Sequence, residues 1–455
     1  MSEPSGEVFA AAVDDGMIGA LTGLRDLLAG GGGDALSLVQ SEVAHPEGEW
    51  LRAGVVWAQD LIRAGLLVRE ASGGVRARLR VGPSAGLWIV HDHPRSSEAP
   101  VMGVGMMSMV LAAFTPRARC GTVLDVGTGQ GFLAILAARH AARVIGTDVD
   151  VRALECARLT AVMNGASGIE WRRGSMLEPA ADLASACDLV VSNPPQLVSP
   201  RHVVSEGGAS CAGDDFVEGL VRGAPAMLRE GGFFACTAIW GEDGAWEARP
   251  REWAFGSGCD VWIVRLRRDD VEAYAEMWRG AIDERRGGDM SADGLVRWRE
   301  HARERGETGV ATALIFMRKR AGRNWIHAEP GTLVGVAEGA TPESSVLVER
   351  VFAARTLLAE GGEAALVGAR LGRAPGLTLV EGRSRGAAMD FVRHRTGFAM
   401  ERPQTVLVRD VLSAIDGKRR GADVLAVVGA GASGERPIEV LRDLLERGLI
   451  EVMPA

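Results

Sequence analysis

The sequence predicts an α/β fold, an open sheet of mainly parallel strands with helices across its faces. Three stretches carry that prediction. Thr122-Val-Leu-Asp-Val126 is an apolar strand that turns through Asp125-Val-Gly-Thr-Gly-Gln-Gly131 into Gly131-Phe-Leu-Ala-Ile-Leu-Ala-Ala138, whose apolar residues fall at helical spacing. Arg143-Val-Ile-Gly-Thr147 is a second strand, ending at Asp148. Asp188-Leu-Val-Val-Ser192 is a third, and it runs into Asn193-Pro194-Pro195-Gln196. Ligands of open α/β sheets bind beyond the carboxyl ends of the strands. The glycine turn, Asp148 and Asn193 all stand at such ends.

In chain order, residues 1–98 read as a helical accessory domain with a winged-helix-like pattern. Val55–Val68 reads as an amphipathic helix ending at Gly65, and Gly73-Gly74 separates two extended runs, Leu66–Arg69 and Val75–Val81. DNA binding and a packing module over a substrate pocket both fit that pattern, and the acidic balance of the chain favours the second. Leu87-Trp-Ile-Val90 is a strand leading into a catalytic domain, residues 99–320, with His91-Asp-His93 directly after the strand. Methionines at 102, 106, 107 and 109 form either a soft lid over a ligand or core filler. Ile169-Glu-Trp-Arg172 is a further strand. Beyond Gln196, a loop from Leu197 to Asp214 carries His202, and a helix spans Asp215–Leu228. Strands follow at Phe233–Trp240, Asp260–Arg265 and Val310–Met317, with helical stretches at 270–283 and 291–306. Residues 321–455 read as a C-terminal α+β domain, with a helix at Val346–Glu360 and strands at Gly376–Val380 and Thr405–Val408. Ile438–Val452 repeats the helix-Gly-Leu pattern of residues 55–68.

Glycines at 127, 129 and 131 let the backbone approach a ligand and turn sharply into the helix. Dinucleotide sites use similar turns. Two details favour another ligand. Asp125, at the strand end, can meet an ammonium rather than a pyrophosphate. Asp148, 19 residues after Gly129, can accept from both hydroxyls of a ribose. The pattern resembles the class I S-adenosylmethionine-dependent methyltransferases. That resemblance implies a seven-stranded Rossmann-like methyltransferase sheet over residues 99–320, with S-adenosyl-L-methionine as cofactor. It implies that Asp125, Gly127, Thr128, Gly129 and Gly131 hold the methionine moiety. Asp148 would hold the ribose with Val149 beside it, Ser175 and Met176 would flank the adenine, and Gly103 would lie in a turn that approaches the donor.

Asn193–Gln196 resembles the Asn-Pro-Pro-aromatic signature of amino-methylating members, among them DNA adenine methylases and release-factor glutamine methylases. Neither proline can donate a backbone N–H, and both fix φ. Asn193 and the Pro194 carbonyl are therefore read as the catalytic pair, two rigid acceptors for a planar –NH2, with Asn193 also able to touch the donor. Methyl transfer from a sulfonium needs an aligned nucleophile more than a strong acid or base. Gln196 departs from the signature: it offers hydrogen bonds where the family has a stacking face. With Pro195 it points to a small-molecule, amino-acid or peptidic acceptor, and away from nucleic acid. An O-methyltransferase would want a base, for which His91, His93 and His202 are candidates, although the first two also read as a hydrogen-bonded turn. A third reading is a nucleic-acid-binding regulator in which the winged modules dominate.

The bulk properties narrow these readings. A chain of 455 residues suits two or three domains. A net charge of −8 and a pI near 5.7 argue against a broad nucleic-acid surface. No apolar run reaches the ~20 residues of a membrane span, and the acidic Met1–Glu7 shows no secretory signal, so a cytoplasmic protein is expected. Six cysteines without Cys-x-x-Cys spacing suit reduced thiols rather than zinc ligands. The two histidines of His91-Asp-His93 lack a convincing third metal ligand. The oligomeric state stays open.

Overall fold

The computed structural model describes residues 14–93, 100–117, 120–166, 168–195, 198, 214–286, 292–335, 342–384, 387–428 and 435–454. The chain starts with α1 (Asp15–Ala29), α2 (Gly33–Gln40), α3 (Glu47–Arg52) and α4 (Ala58–Arg63). An antiparallel ribbon follows, β1 (Leu67–Arg69) with β2 (Val75–Ala77), then a hairpin of β3 (Arg80–Ser84) and β4 (Leu87–His91). The helix expected from Val55 begins only at Ala58. Gly54 turns the chain at φ +86, and the Val55 N–H closes α3 by donating to the Trp50 carbonyl at 2.8 Å. Those residues end one helix, so they cannot start the next.

Next come α5 (Met106–Phe114), β5 (Cys120–Val126), α6 (Phe132–Ala137), β6 (Ala141–Asp148), α7 (Val151–Met163), β7 (Ile169–Arg173) and β8 (Cys187–Ser192). After them lie α8 (Asp215–Met227), β9 (Leu228–Glu242), α9 (Ala248–Ala254), β10 (Cys259–Asp270), α10 (Val271–Arg286), α11 (Ala292–Glu304), β11 (Gly309–Lys319) and β12 (Ile326–Pro330). Strands β5 to β12 form one sheet in the order β12-β10-β11-β9-β8-β5-β6-β7. From β9 to β7 every pairing is parallel, and β11 runs against both its neighbours. All seven expected strands are present. The sheet nonetheless has eight: Ile326–Pro330, beyond residue 320, pairs parallel to β10 with Val261 opposite Ile326.

Both flanking regions bury apolar surface against this sheet and its helices. Leu21 and Leu24 of α1 and Leu61 of α4 share a core with Ala153, Cys156, Leu159 and Met163 of α7. Polar groups fix the register there: the Val90 N–H donates to Thr160 Oγ1 at 3.0 Å, and Asn164 exchanges two hydrogen bonds with the Trp88 backbone. On the other side α12 (Pro342–Gly368) packs Val348, Val351 and Phe352 into the core that holds Trp262 and Phe316. Phe398 stacks on Phe114 with ring centroids 4.0 Å apart. The strand expected at Gly376–Val380 is part of a longer one, Leu377–Ser384. Thr405–Val408, expected as a strand, instead starts the helix Val406–Ala414, because Thr405 Oγ1 accepts from the Val408 N–H and caps it. No described helix is long and apolar enough to cross a membrane.

Candidate active site

The glycine turn connects β5 to α6 at the carboxyl edge of the parallel strands. Gly127, Gly129 and Gly131 have φ of +68, +55 and +86, a region where a Cβ is strained. A Cβ at Gly127 or Gly129 would meet nothing within 4 Å, so the backbone there faces open space. One at Gly131 would come 3.1 Å from Ala157, so that glycine serves the packing of α6 against α7. The Thr128 N–H donates to the Thr147 carbonyl at 2.8 Å and ties the turn to β6.

Asp125 is buried under this turn. Its Oδ2 accepts from Thr128 Oγ1 at 2.7 Å and from the Ala134 N–H at 3.0 Å. Its Oδ1 is buried with no hydrogen bond among the described residues. A buried carboxylate oxygen without a donor is costly, and burial pushes the Asp125 pKa up to about 7. A ligand ammonium would satisfy that oxygen. Asp148, half-buried at the end of β6, accepts from the Gly129 N–H and the Asp150 N–H, each at 2.9 Å and each on a different oxygen. Both oxygens keep a lone pair for a hydroxyl. Burial pushes its pKa up to about 6. The Asp148 carbonyl accepts from the Gly174 N–H at 3.0 Å, which keeps Ser175 and Met176 next to the strand end. Met176 holds φ +51, an unusual conformation for a residue with a side chain. A Cβ on Gly219 would come 2.7 Å from the Met176 methyl, so that glycine leaves it room. Val149 is exposed beside Asp148.

On the other side of β5, Ser192 Oγ donates to the Val126 carbonyl at 2.8 Å and joins the two strand ends. Asn193 follows, half-buried. Its amide is held at both ends: Nδ2 donates to Ser108 Oγ at 2.8 Å, and Oδ1 accepts from Thr237 Oγ1 at 2.5 Å. The amide expected as a rigid acceptor is thus clamped at both ends, with one Oδ1 lone pair already used. The register Ser192 opposite Cys236 brings Thr237 alongside it. Pro194 is buried and Pro195 half-buried, while Gln196 and His202 lie outside the described residues. Val198 is buried, and its N–H donates to the hydroxyl of Tyr274 on α10 at 3.0 Å. Tyr274 is the sole tyrosine in the chain.

The histidine pair divides. His91 packs its ring against Gly103, where a Cβ would lie 3.3 Å from Nε2, and its Nδ1 sits 2.8 Å from the Asp92 carbonyl. His93 turns toward the N-terminal helices, with Nδ1 3.6 Å from Glu42. Burial lowers both pKa values, leaving neutral rings at pH 7. Met109 packs on the main core, while Met106 is exposed.

Sequence reasoning missed three residues. Between the two histidines, Asp92 accepts from the Val101 N–H at 2.9 Å and pairs with Arg152 in the first turn of α7, just after Asp148. Ser108 and Thr237 form the Asn193 clamp. A signal existed for both hydroxyls. Each is a polar residue inside an apolar element, and buried polar groups need partners. Among the described residues no group of three or more His, Cys, Asp or Glu could hold a metal ion.

Residues 103–238 match the family model of the methyltransferase small domain. The matched segment is a methyltransferase domain with S-adenosylmethionine as its cofactor, and it spans every group from Gly103 to Thr237. A release factor glutamine methyltransferase from Xylella fastidiosa is 33% identical over 135 residues, 27% of this chain and 48% of that protein. A ribosomal RNA small subunit methyltransferase C from Chromohalobacter salexigens is 34% identical over 110 residues, 24% of this chain and 29% of that protein. The chain thus spans about half the length, or less, of the curated relatives it matches. The crystal structure of YcgJ from Bacillus subtilis aligns at a TM-score of 0.31 and 16% identity, covering 47% of this chain and 97% of that one.

Proposed function

We propose that this protein transfers the methyl group of S-adenosylmethionine to a nitrogen of an amide or amine on a peptidic or amino-acid acceptor. The observation that carries the reading is the Asn193 amide, fixed at the end of β8 by Ser108 and Thr237 and placed one strand from the glycine turn. When bound, the cofactor supplies an electrophilic methyl on a sulfonium and leaves as S-adenosylhomocysteine. Asp125 Oδ1 would meet the cofactor ammonium, and Asp148 would accept its two ribose hydroxyls. The remaining lone pair of Asn193 Oδ1 and the Pro194 carbonyl would accept the acceptor N–H groups, aligning the nitrogen lone pair with the methyl. The nitrogen forms a bond to carbon as the carbon–sulfur bond breaks, and its surplus proton leaves to solvent. Alignment of this kind supplies much of a methyltransferase's rate. The name of the Xylella relative supports a glutamine-bearing protein as acceptor. That of the Chromohalobacter relative supports RNA as the second reading.

Radiolabelled S-adenosylmethionine incubated with the full chain, peptides displaying glutamine, free amino acids and structured RNA separates these readings. Label on a peptide or amino-acid nitrogen is the expected result. Label in RNA alone would replace the acceptor class, and base-labile label on a carboxylate would replace nitrogen by oxygen.

A further inference from the structure

The outer edge of the sheet carries a cleft far from the cofactor turn. β12 begins at Ile326, opposite Val261 near the start of β10, and β10 runs in the same direction as β8. This edge therefore lies at the amino-terminal end of the strands, whereas Asp125, Asp148 and Asn193 lie at the carboxyl end. The cleft measures about 410 Å³, a size suited to a small ligand. Trp325, Ile326, Leu358 and Ala359 give it an apolar wall, and Arg355 and Glu446 give it two opposite charges.

Those two charges attract one another across the cleft without a hydrogen bond or contact ion pair between them. Arg355 is only 14% exposed, and it donates no hydrogen bond among the described residues; its buried Nε has no partner. Its nearest carboxylate, Glu329, stands 4.0 Å away and is already engaged, accepting from Trp262 Nε1 at 2.8 Å and lying 3.1 Å from His327. Glu446, the last residue of the helix Pro437–Glu446, faces Arg355 electrostatically and accepts no hydrogen bond from it. The other cation on the rim, Arg442, is paired with Glu363 at 2.6 Å. A largely buried guanidinium without an acceptor is costly. The backbone that presents it is fixed: the next residue, Thr356, donates to Asp260 of β10 at 3.0 Å and accepts from Trp325 Nε1 at 3.3 Å. A rigid cation and a separated carboxylate across an apolar wall complement a molecule with the reverse arrangement.

We propose that this cleft binds a small zwitterion of the α-amino-acid class. Its carboxylate sits on the Arg355 guanidinium, whose planar fork matches a carboxylate. Its ammonium faces Glu446, and its side chain lies against Trp325 and Leu358. The proposal stands on this cleft alone and not on the methyl-transfer reading. The test is calorimetry and thermal shift on the full chain with each standard α-amino acid, using inorganic phosphate and ethylammonium as anion-only and cation-only probes. One or more amino acids should bind and raise the unfolding temperature, and the single-charge probes should not. Arg355→Gln should weaken that binding about tenfold or more, and Glu446→Gln should weaken it too. Unchanged affinity of Arg355→Gln for S-adenosylhomocysteine would show that the variant is folded. The proposal fails if no amino acid binds the wild-type protein. It also fails if binding survives Arg355→Gln, which would assign it to another site, or if phosphate binds equally well regardless of Glu446.

Discussion

The two sides of the β5 edge are built in different ways. The side we propose for the cofactor uses backbone: three glycines with positive φ, and two carboxylates held by N–H groups within nine residues or by the glycine turn itself. The side we propose for the acceptor uses side chains from distant parts of the chain, with Ser108 85 residues and Thr237 44 residues from Asn193. The first side is a local structure that any chain with the same short motif can form. The second exists only once α5, β8 and β9 are packed together. Small cofactors of fixed shape suit the first construction, and acceptors that differ between relatives suit the second.

The sharpest way to break this division is Asn193→Ala. It removes the only planar amide at the end of β8 among the described residues, so turnover should fall by about 10²-fold, the usual scale of a lost alignment. Affinity for S-adenosylhomocysteine should stay within a few-fold of wild type. Equal losses in both measurements would mean that the two sides are one unit. Asp148→Ala is the reciprocal change. Loss of an ionised acceptor costs about 1.5–3 kcal/mol, roughly ten- to a hundredfold in cofactor affinity. Turnover at saturating cofactor should change far less, and calorimetry showing unchanged affinity would remove Asp148 from the cofactor side.

That division also decides what could be read from the sequence. The glycine turn, Asp148 and Asn193 were legible because strand, turn and helix signals lie within a few residues of one another. The Asn193 clamp was not, since no local pattern links residue 108 to residue 237. Strand β12 was missed for a similar reason. Its five residues, Ile-His-Ala-Glu-Pro, are half-exposed or exposed; Ile326 and Ala328 alternate with His327 and Glu329, but so short a run ending in proline is a weak strand signal, and pairing with β10 makes it one. Thr405–Val408 misled in the other direction, because a short apolar β-branched run does not distinguish a strand from the first turn of a helix. The split of His91 from His93 followed from packing against Gly103 and α2's end, neither of which the dipeptide spacing reveals.

The cofactor side should also respond to pH, and the acceptor side should not. Asp125 and Asp148 have folded pKa values raised to about 7 and about 6, above their ordinary values. Their contribution to the stability of the cofactor-free protein is therefore present in acid and is lost as pH rises through 6 to 7. Cofactor binding runs the opposite way, because an ammonium and two hydroxyls need ionised carboxylates. Affinity for S-adenosylhomocysteine should be level above about pH 7.5, fall by about tenfold per unit between about pH 7 and 6, and fall more steeply, toward a hundredfold per unit, below about pH 6. Asp148→Asn should flatten the lower part of that curve. A wild-type affinity constant from pH 5 to pH 8 would mean that neither carboxylate touches the cofactor.

The smallest expected effect sharpens the acceptor side. Thr237 is fully buried within the apolar stretch Phe233–Trp240 of β9, and its hydroxyl donates to Asn193 at 2.5 Å. Thr237→Val keeps the shape but removes the donor, leaving Asn193 Oδ1 free to rotate away from the acceptor. One hydrogen bond between neutral groups is worth about 0.5–1.5 kcal/mol, so turnover should drop by roughly two- to tenfold, with cofactor affinity unchanged. Thr237→Ser restores the hydroxyl and should restore most of the rate, although it leaves a cavity where the methyl was. That pair separates positioning from packing. If the loss arose from packing, Ser would be worse than Val, because it removes volume while Val preserves it. If the loss arises from the hydrogen bond, Val is the worse of the two. A Val variant as active as wild type would mean that Ser108 alone, through Asn193 Nδ2, orients the amide.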